Sequence, residues 1–529
     1  MYKSINLSVT PKLVLTIASV LYLVSNIGWV FAHGVFWDDW VLYENPVGME
    51  QMLSENGYGW TIPFHMFLLN FAHQQNVDVI IVYRVIILFV GWGCVFLYYS
   101  ILNQLVFNKV FVLLSTLMYA SWPLGYSHML MCCIPYQIGV LSQLITIYLF
   151  NLYVNNNRIK IVNKIVLIIL VFLFQFFASA CLQSTIVFWF GYLCVMATSQ
   201  TYNDISLSYR YAMIWVKKIL YNLLFFIPCL VFWGLKMAYM VPYGQYVDYN
   251  TISSSTVIYA PINSIIPFFN TVSFLIRQFS FIFSSIFFFL VFIVILMVLC
   301  LLFKSNCNNT KFTRFPVIIS FFFMFFCAIE AYVLVAKIPN FDHVNDRFCI
   351  LLALIVPLII VSLIINYSNT PLKLSFTFVS VFCTYSISQS VEGIRLSHRN
   401  DAIMEFFRKN DLPEGNVLVA EECPKIRSNY YSWAGLYYTA TGRQDRCFEC
   451  TDVGVMGDDE KDFNEMNHQK DAKSGSAKNL IYFVDEYSSK SYNATFRRLI
   501  LSLSDRTNYK QALLDDFHIR WCEIDFDKG

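Results

Sequence analysis

The stretch "LVLTIASVLYLVSNIGWVFAHGVFWDDWVLYEN", residues 13–45, sets the class of the protein. Its first part, residues 13–32, is apolar and long enough to cross a bilayer, because a membrane-spanning helix needs about 20 residues. The segment is too long for the core of a signal peptide and has no small-residue cleavage site, which predicts an uncleaved anchor. Two carboxylates, Asp38 and Asp39, follow it directly, and the apolar segment alone does not explain them.

The composition of the whole chain agrees with a membrane protein. Of 529 residues, 57% are hydrophobic and 14% charged, and the mean hydropathy is +0.54. Soluble domains carry about 25% charged residues. The fold class predicted is an all-α polytopic membrane protein with about eleven transmembrane helices and a small C-terminal α/β domain. The predicted spans are residues 12–32, 79–106, 110–124, 134–154, 164–181, 184–199, 217–240, 279–303, 316–336, 348–366 and 374–391.

The charges divide the chain into two regions. Residues 1–391 hold 18 Lys and Arg with 11 Asp and Glu, whereas the shorter remainder holds 19 and 24. This predicts a transmembrane domain, residues 1–391, and a hydrophilic extracytoplasmic domain, residues 392–529. In the second, "NVLVAEE", "LIYFVDE" and "HIRWCEIDF" are typical of strands. The segregation gives no basis for binding nucleic acid.

Positive charge in the short connections predicts the orientation. The first outward loop, residues 33–78, has no Lys or Arg, whereas the loops assigned to the inside are rich in them, so we expect a cytoplasmic N-terminus. Residues 164–199 are read as two helices with a turn near Cys181–Ser184. One long helix would reverse every later loop against the rule. The soluble tail is therefore expected outside, with loop 33–78.

Five cations depart from this pattern, because Arg84, Lys236, Arg277, Lys337 and Arg347 fall at or just below the predicted outer surface. Their ordinary partners are lipid headgroups or nearby acids, reached by bending of the long side chains. Gathered at one depth, they would instead suit an anionic ligand such as a lipid phosphate. Arginine grips phosphate through two parallel hydrogen bonds, which favours Arg347 and Arg277.

The acidic pair has four readings that the residues alone leave open. An Asp before a helix is a common N-cap. It can also act as a general base toward a hydroxyl, ligate Mg²⁺ or Mn²⁺, or carry a proton or cation in a transporter. Loop 33–78 is expected to form two amphipathic surface helices joined by "GYG" at residues 57–59. Trp37 and Trp40 flank the pair as interface residues or as faces for a sugar ring.

These features together resemble the GT-C superfamily of integral-membrane glycosyltransferases, which use polyprenyl-phosphate sugars. The motif "FWDDW", residues 36–40, is similar to the acidic motif that opens the first outward loop of that superfamily. The segment "DRFCILLALIVP", residues 346–357, is similar to its phosphate-contacting arginine region. Size and composition resemble most the phage- or island-encoded glucosyltransferases that modify bacterial O-antigen.

The resemblance implies an inverting transfer at the periplasmic face of a bacterial inner membrane. Asp38 would be the base, and Asp39 its orienting neighbour or a ligand of a divalent cation. The donor is a polyprenyl-phosphate-linked sugar and the acceptor a lipid-linked glycan or polysaccharide. The phosphate would be held by Arg347, Arg277, Lys337 and Arg84. Further candidates for lining the substrate cavity are Trp37, Trp40, His65, His128, Tyr136, Gln137, Gln183, Glu330 and His343.

Other functions and features stay open from the sequence. An O-antigen polymerase or ligase would have a larger late loop than residues 337–347, and a transporter or flippase would show internal repeats. Glu330 lies within a predicted span, either as a functional acid or as a partner of Lys337. An oxidising compartment favours one or two disulfides among Cys423, Cys447, Cys450 and Cys522.

Overall fold

The computed structural model describes residues 10–36, 39–43, 46–105, 108–123, 125–155, 160–202, 209–247, 252–303, 315–341, 343–412, 416–421, 430–451, 477–484 and 491–523. The α-helices up to residue 409 are α1 Pro11–Asn26, α2 Asp39–Leu42, α3 Pro46–Glu55, α4 Ile62–Gln75, α5 Val79–Gln104, α6 Lys109–Ala120, α7 Gly125–Met129, α8 Ile134–Asn155, α9 Ile161–Cys181, α10 Thr185–Tyr202, α11 Tyr209–Asn222, α12 Ile227–Tyr239, α13 Ser254–Asn263, α14 Ile265–Ile282, α15 Ile286–Leu302, α16 Phe315–Val333, α17 Leu352–Tyr367 and α18 Pro371–Lys409. Short 3₁₀ helices occupy Ile27–Phe31, Gly59–Thr61, Met131–Cys133, Leu223–Phe226, Gly244–Tyr246 and His343–Cys349.

Apolar helices dominate the described part of the chain. Eight of them are long and apolar enough to cross a membrane, and four shorter apolar helices accompany them. The multi-pass helical class predicted from the sequence is confirmed. The break predicted near Cys181–Ser184 is confirmed too, since α9 ends at Cys181 and α10 begins at Thr185. Thr185 Oγ1 donates a 2.6 Å hydrogen bond to the Leu182 carbonyl and closes this turn.

The span predicted at 279–303 is wrong in its boundaries. A helical stretch from Ser254 to Ile282 precedes α15, and the helix is interrupted before α15 begins at Ile286. The sequence pattern missed this stretch because serines, asparagines and prolines dilute its mean hydropathy to 1.4. The residues just before and just after this stretch lie on the same side of the molecule. Ile252 lines a cavity beside Lys337, and Phe288 packs edge-to-face on Tyr492 of the tail.

The core of the membrane region is centred on α17. Every residue from Leu352 to Ser362 is buried, so this helix is surrounded on all sides. A helix that is apolar all round lies in a protein core or spans a membrane, and the burial of α17 on all sides places it inside the bundle. Helices α6, α16 and α18 pack against it. The late span that carries the proline-containing motif is thus central to the bundle.

The tail contains a four-stranded sheet and three helices among its described residues. Its elements are β1 Asn416–Glu421, α19 Tyr430–Thr441, β2 Phe448–Thr451, β3 Ala477–Val484, α20 Tyr492–Ser504, α21 Arg506–Asp516 and β4 His518–Glu523. The strand order is β2-β1-β3-β4, with β1 parallel to both neighbours and β3 antiparallel to β4. The three segments that the sequence predicts as strands overlap β1, β3 and β4.

Helix α18 joins the two regions without a break. It runs from Pro371 to Lys409, so the boundary drawn at residue 391 falls inside a helix rather than in a linker. Residues past 391 are as buried as those before it, because the tail helices and the first loop take over the packing from the membrane helices. Hydropathy marks the change of surroundings but not an end of the helix.

The tail and the first loop lie on the same side of the molecule, as expected. Gly34 N–H donates to Ser397 Oγ at 2.9 Å, and Asn400 Nδ2 donates to the Val35 carbonyl at 2.9 Å. His33 Nε2 lies 2.8 Å from Asp401 Oδ2. These buried or half-buried bonds fix the C-terminal half of α18 against the segment that carries the acidic pair.

The disulfides expected in the tail find no support among the described residues, where Cys447 is a free, exposed thiol. Cys423 and the side chains of Cys450 and Cys522 lie outside what the structure describes.

Candidate functional site

Two adjoining cavities open between the first loop and the ends of the membrane helices. The first, the polar chamber, has a volume of about 110 Å³, and the second, the apolar chamber, about 310 Å³. They share the side chains of Tyr58, Tyr136, Lys337 and Phe348, so they form one continuous site. The combined space has the apolar wall with a few polar groups that is usual for ligand sites.

Lys337 and Arg347 provide the positive charge of the polar chamber. The aromatic ring of Phe348 lies beside both: Lys337 Nζ is 5.5 Å and Arg347 Cζ 4.8 Å from its centroid. The other lining residues are Leu42, Met52, Leu53, Asn56, Thr61, His65, Cys132, Pro135 and Tyr246. This chamber therefore joins residues far apart in sequence, from the first loop and from the late loop.

The end of α16 explains where Lys337 points. Ala336 has φ +59°, in the left-handed region, and Lys337 N–H donates back to the Tyr332 carbonyl at 2.9 Å. Ala336 N–H donates to the Val333 carbonyl at 3.0 Å, which completes a Schellman cap. The reversal turns the chain after α16 toward the polar chamber. An alanine in this conformation is uncommon, because the position usually belongs to glycine.

Arg347 belongs to the 3₁₀ helix His343–Cys349, which leads into the central α17. Next to it, the buried Asp346 accepts a hydrogen bond from Ser127 N–H at 3.3 Å. This contact ties the arginine-bearing turn to α7. Phe348 is buried and packs on Tyr332, with ring centroids 4.8 Å apart.

A third cation, Lys236, lines the apolar chamber together with Trp233 and Gln183. Lys236 Nζ donates a 2.6 Å hydrogen bond to Gln183 Oε1 and lies 5.6 Å from the Trp233 ring centroid. Gln183 Nε2 in turn donates to Tyr58 Oη at 3.4 Å. The remaining lining is Leu182, Ser184, Ile186, Val187, Ile252, Ala331, Tyr332, Leu334 and Val335.

Positive charge is concentrated in the two-chamber site. Three cations line it, and none of its described lining residues is a carboxylate. Positive charges near a membrane core are costly unless an anion or a polar group meets them. Trp233 and Ile252, which are also exposed on the outer surface of the bundle, place the apolar chamber next to the lipid-facing side. The arrangement suits a molecule with an anionic head and an apolar chain.

Of the acidic pair, Asp39 is a structural anchor. Its carboxylate oxygens accept hydrogen bonds from Met131 N–H and Cys132 N–H, each at 2.9 Å, and its side chain is buried. Cys132 and Leu42 line the polar chamber, so Asp39 fixes a wall of that chamber. Asp38 and Trp37 lie outside the described residues.

His65 is the predicted histidine that the structure places in the polar chamber. Its Nδ1 lies 2.6 Å from Tyr83 Oη, and the two rings stack at 5.8 Å with 12° between their planes. Burial lowers the pKa of His65 to about 4, so its imidazole is neutral at pH 7. A neutral ring held by one hydrogen bond can contact a sugar hydroxyl but adds no charge to the site.

Three predicted cavity residues lie away from both chambers. Trp40 is buried against Gly435 of the tail helix α19. His128 is buried beside Tyr22, with ring centroids 6.5 Å apart. Gln137 is buried on α8. None of the three belongs to the described lining of the two-chamber site.

Glu330 does not belong to the described lining of the site either. Glu330 accepts a 2.9 Å hydrogen bond from Ser264 Oγ, which directs it toward α13 and α14 rather than toward Lys337. The side chain of His343 lies outside what the structure describes.

Two of the four predicted phosphate ligands come together and two do not. Arg84 is fully buried and donates a hydrogen bond to the Gly34 carbonyl at 2.7 Å. This bond fixes the start of the first loop. Arg277 is exposed on α14. Neither belongs to the described lining of the chambers, whereas Lys337 and Arg347 do.

The sequence interpretation missed the aromatic groups of the site. Tyr58, Tyr246 and Tyr332 line the chambers that hold the cations, yet aromatic residues make up 18% of the chain, so none of these three stood out. The usable signal for Phe348 is its place next to Arg347. The chain matches no protein-family model and shows no significant similarity to a curated protein.

Proposed function

We propose that the chain is a membrane glycosyltransferase of the GT-C type, which transfers a hexosyl group from a polyprenyl-phosphate donor to a surface polysaccharide. The observation that carries the proposal is the two-chamber site. Arg347 and Lys337 would meet the donor phosphate in the polar chamber, and the first isoprenoid units would lie in the apolar chamber beside Lys236. Charge-assisted hydrogen bonds to phosphate are about twice as strong as neutral ones.

The chemistry needs one base and a stabilised leaving group. The base takes the proton of an acceptor hydroxyl, whose oxygen attacks the anomeric carbon from the face opposite the phosphate. The bond between that carbon and the phosphate oxygen breaks, and polyprenyl phosphate leaves with its electron pair. Arg347 and Lys337 stabilise the charge on the departing phosphate. Inversion at the anomeric carbon follows from the single displacement.

Asp38 is the base in this proposal, because Asp39 is already engaged by two backbone amides. Asp39, which follows Asp38 in the chain, is thus fixed at the wall of the polar chamber. A general base must lie within hydrogen-bond reach of the proton it removes. The two-chamber site then faces the periplasm of a bacterial inner membrane, with the N-terminus in the cytoplasm and the tail on the periplasmic side.

The proposal is tested by glycan analysis of a bacterial surface polysaccharide in a host with and without the protein. The wild-type chain should add one hexose to the repeating unit, as seen by mass spectrometry. Asp38→Asn should abolish the addition while the protein level in the membrane stays the same. A polysaccharide that the wild-type chain leaves unchanged, in a host that makes polyprenyl-phosphate hexose, argues against the function. Normal product from Asp38→Asn would reject only the assignment of Asp38 as the base, and not the proposed function.

A further inference from the structure

The tail helix α20 carries an apolar stripe that the two-chamber site does not use. Phe496, Ile500 and Leu503, at positions i, i+4 and i+7, share one face of this helix. Ile500 is 64% and Leu503 72% exposed. The opposite face, with Thr495 and Arg498, is buried in the tail. The helix is held on one side and presents an apolar side outward.

The contacts of α20 place it at the start of the membrane helix α15. Tyr492 packs on Phe288 at 4.6 Å between ring centroids, and Phe496 on Phe287 at 6.1 Å, both at the start of α15. Farther along, Leu499 packs on the cluster that includes Trp29, at the end of the first membrane segment. The helix therefore lies against the start of α15 and beside the cluster that covers the end of the first membrane segment.

Exposed apolar residues also lie at the ends of the neighbouring membrane helices. Ile286 at the start of α15 is 80% exposed, and Phe283 just before it 73%. At the end of the first segment, Ile27 and Phe31 are also exposed. These apolar residues lie in or next to the apolar helices of the membrane region. The stripe on α20 continues the same surface between them.

We propose that α20 is an interfacial helix, which inserts Phe496, Ile500 and Leu503 into the boundary between headgroups and acyl chains. Amphipathic helices in the membrane plane bind in this way. Arg497 is exposed beside the stripe and is placed to meet lipid phosphates. The partner is a phospholipid bilayer with anionic headgroups. The inference is independent of the sugar-transfer chemistry and holds whatever reaction the two-chamber site performs.

The test uses the full chain in nanodiscs made of phosphatidylcholine and phosphatidylglycerol. Ile500 and Leu503 are replaced singly by the photoreactive residue p-benzoylphenylalanine. The control carries the photoreactive residue at Gln511, an exposed residue of α21. The neighbouring Lys510 pairs with Glu405, near the C-terminal end of α18. After illumination, mass spectrometry of the intact protein reports lipid adducts. Unchanged gel-filtration profiles and thermal midpoints confirm that each variant is folded.

The expected result is a phospholipid adduct at positions 500 and 503, several-fold above that at position 511, with phosphatidylglycerol over-represented. Equal adduct yields at all three positions would overturn the proposal. Cross-links from positions 500 and 503 to a second copy of the chain, in place of lipid, would overturn it as well, because the stripe would then be a protein interface.

Discussion

Lys337 and Arg347 approach one aromatic ring from different elements, since Lys337 Nζ lies 5.5 Å and Arg347 Cζ 4.8 Å from the centroid of Phe348. Lys337 follows the left-handed cap of α16, and Arg347 sits in the 3₁₀ helix before α17. Cation–π contacts contribute about 0.5–1 kcal/mol each and hold a cation without neutralising it. Both charges are thereby positioned at the wall of the polar chamber.

Arg347→Ala should weaken donor binding. The variant removes charge-assisted hydrogen bonds worth about 1.5–3 kcal/mol each, which corresponds to a loss of roughly ten- to a hundredfold in affinity. Binding of a fluorescent polyprenyl phosphate to the purified protein measures the effect. Arg347→Lys keeps the charge but not the paired hydrogen bonds, so its affinity should fall between those of wild type and Arg347→Ala.

The matched control is Lys373→Ala, at an exposed position near the start of α18 and outside the described lining of both chambers. It removes the same charge from the chain and should leave donor affinity within about twofold of wild type, because exposed charges contribute little. Equal losses for Lys373→Ala and Arg347→Ala would show that the protein attracts the donor through its overall charge and not through the two-chamber site.

Asp39→Ala should destabilise the fold. Two backbone amides, Met131 N–H and Cys132 N–H, would lose their acceptor in a buried place, at a cost of about 1–3 kcal/mol for each unsatisfied group. The thermal midpoint in detergent should fall by several degrees. Asp38→Asn should keep the wild-type midpoint and lose sugar transfer. If the two variants instead swapped these outcomes, the division between anchor and base would be reversed.

Hydropathy and charge located most of the membrane helices, although not the stretch from Ser254 to Ile282, and they did not locate the site. Runs of apolar residues located the spans, and the lysine and arginine pattern required the turn that α9 and α10 make. The contacts of Arg347 with Phe348 and of Asp39 with Met131 depend on tertiary packing between distant segments, which a single sequence does not encode locally. Arg84 and Arg347 look alike as isolated outer cations. Only the structure separates one that supports a backbone carbonyl from one that lines a cavity.

Stability should depend on pH through His33. Burial lowers the pKa of His33, but its hydrogen bond to Asp401 and the charge of that carboxylate more than offset this, so the pKa lies above its ordinary value of 6.5. The other groups facing it are the Phe31 carbonyl, which also raises the pKa, and Arg84, which lowers it. A raised pKa means that the folded protein holds this proton more tightly than the unfolded chain.

The sign follows directly. The stabilisation from protonated His33 is complete below its unfolded pKa and is lost as the pH rises through the higher folded value. The thermal midpoint should therefore drop as the pH rises above the ordinary histidine pKa of 6.5, and His33→Gln should flatten this part of the profile. Buried His65 has the opposite sign, because burial lowers its pKa to about 4 and it favours unfolding in acid. An unchanged slope in His33→Gln would assign the pH dependence to other groups.

Gly435 should resist even the smallest side chain, because a Cβ at this position would overlap the indole ring of Trp40. Gly435 lies on α19 and Trp40 on α2, so the contact joins the tail to the loop that carries the acidic pair. Gly435→Ala should lower the free energy of unfolding by about 1–3 kcal/mol through overpacking. Sugar transfer should fall as well, because α2 would shift relative to the polar chamber.

Gly234 on α12 is the matched control, since no atom lies within 4 Å of an added Cβ there. Gly234→Ala should be neutral or stabilising by up to about 1 kcal/mol, as is usual for a helix interior. Thermal unfolding of both variants in the same detergent decides the question. If Gly435→Ala unfolds at the wild-type temperature, Trp40 does not clamp the loop to the tail, and the close packing of α2 on α19 is not needed to hold the wall of the polar chamber.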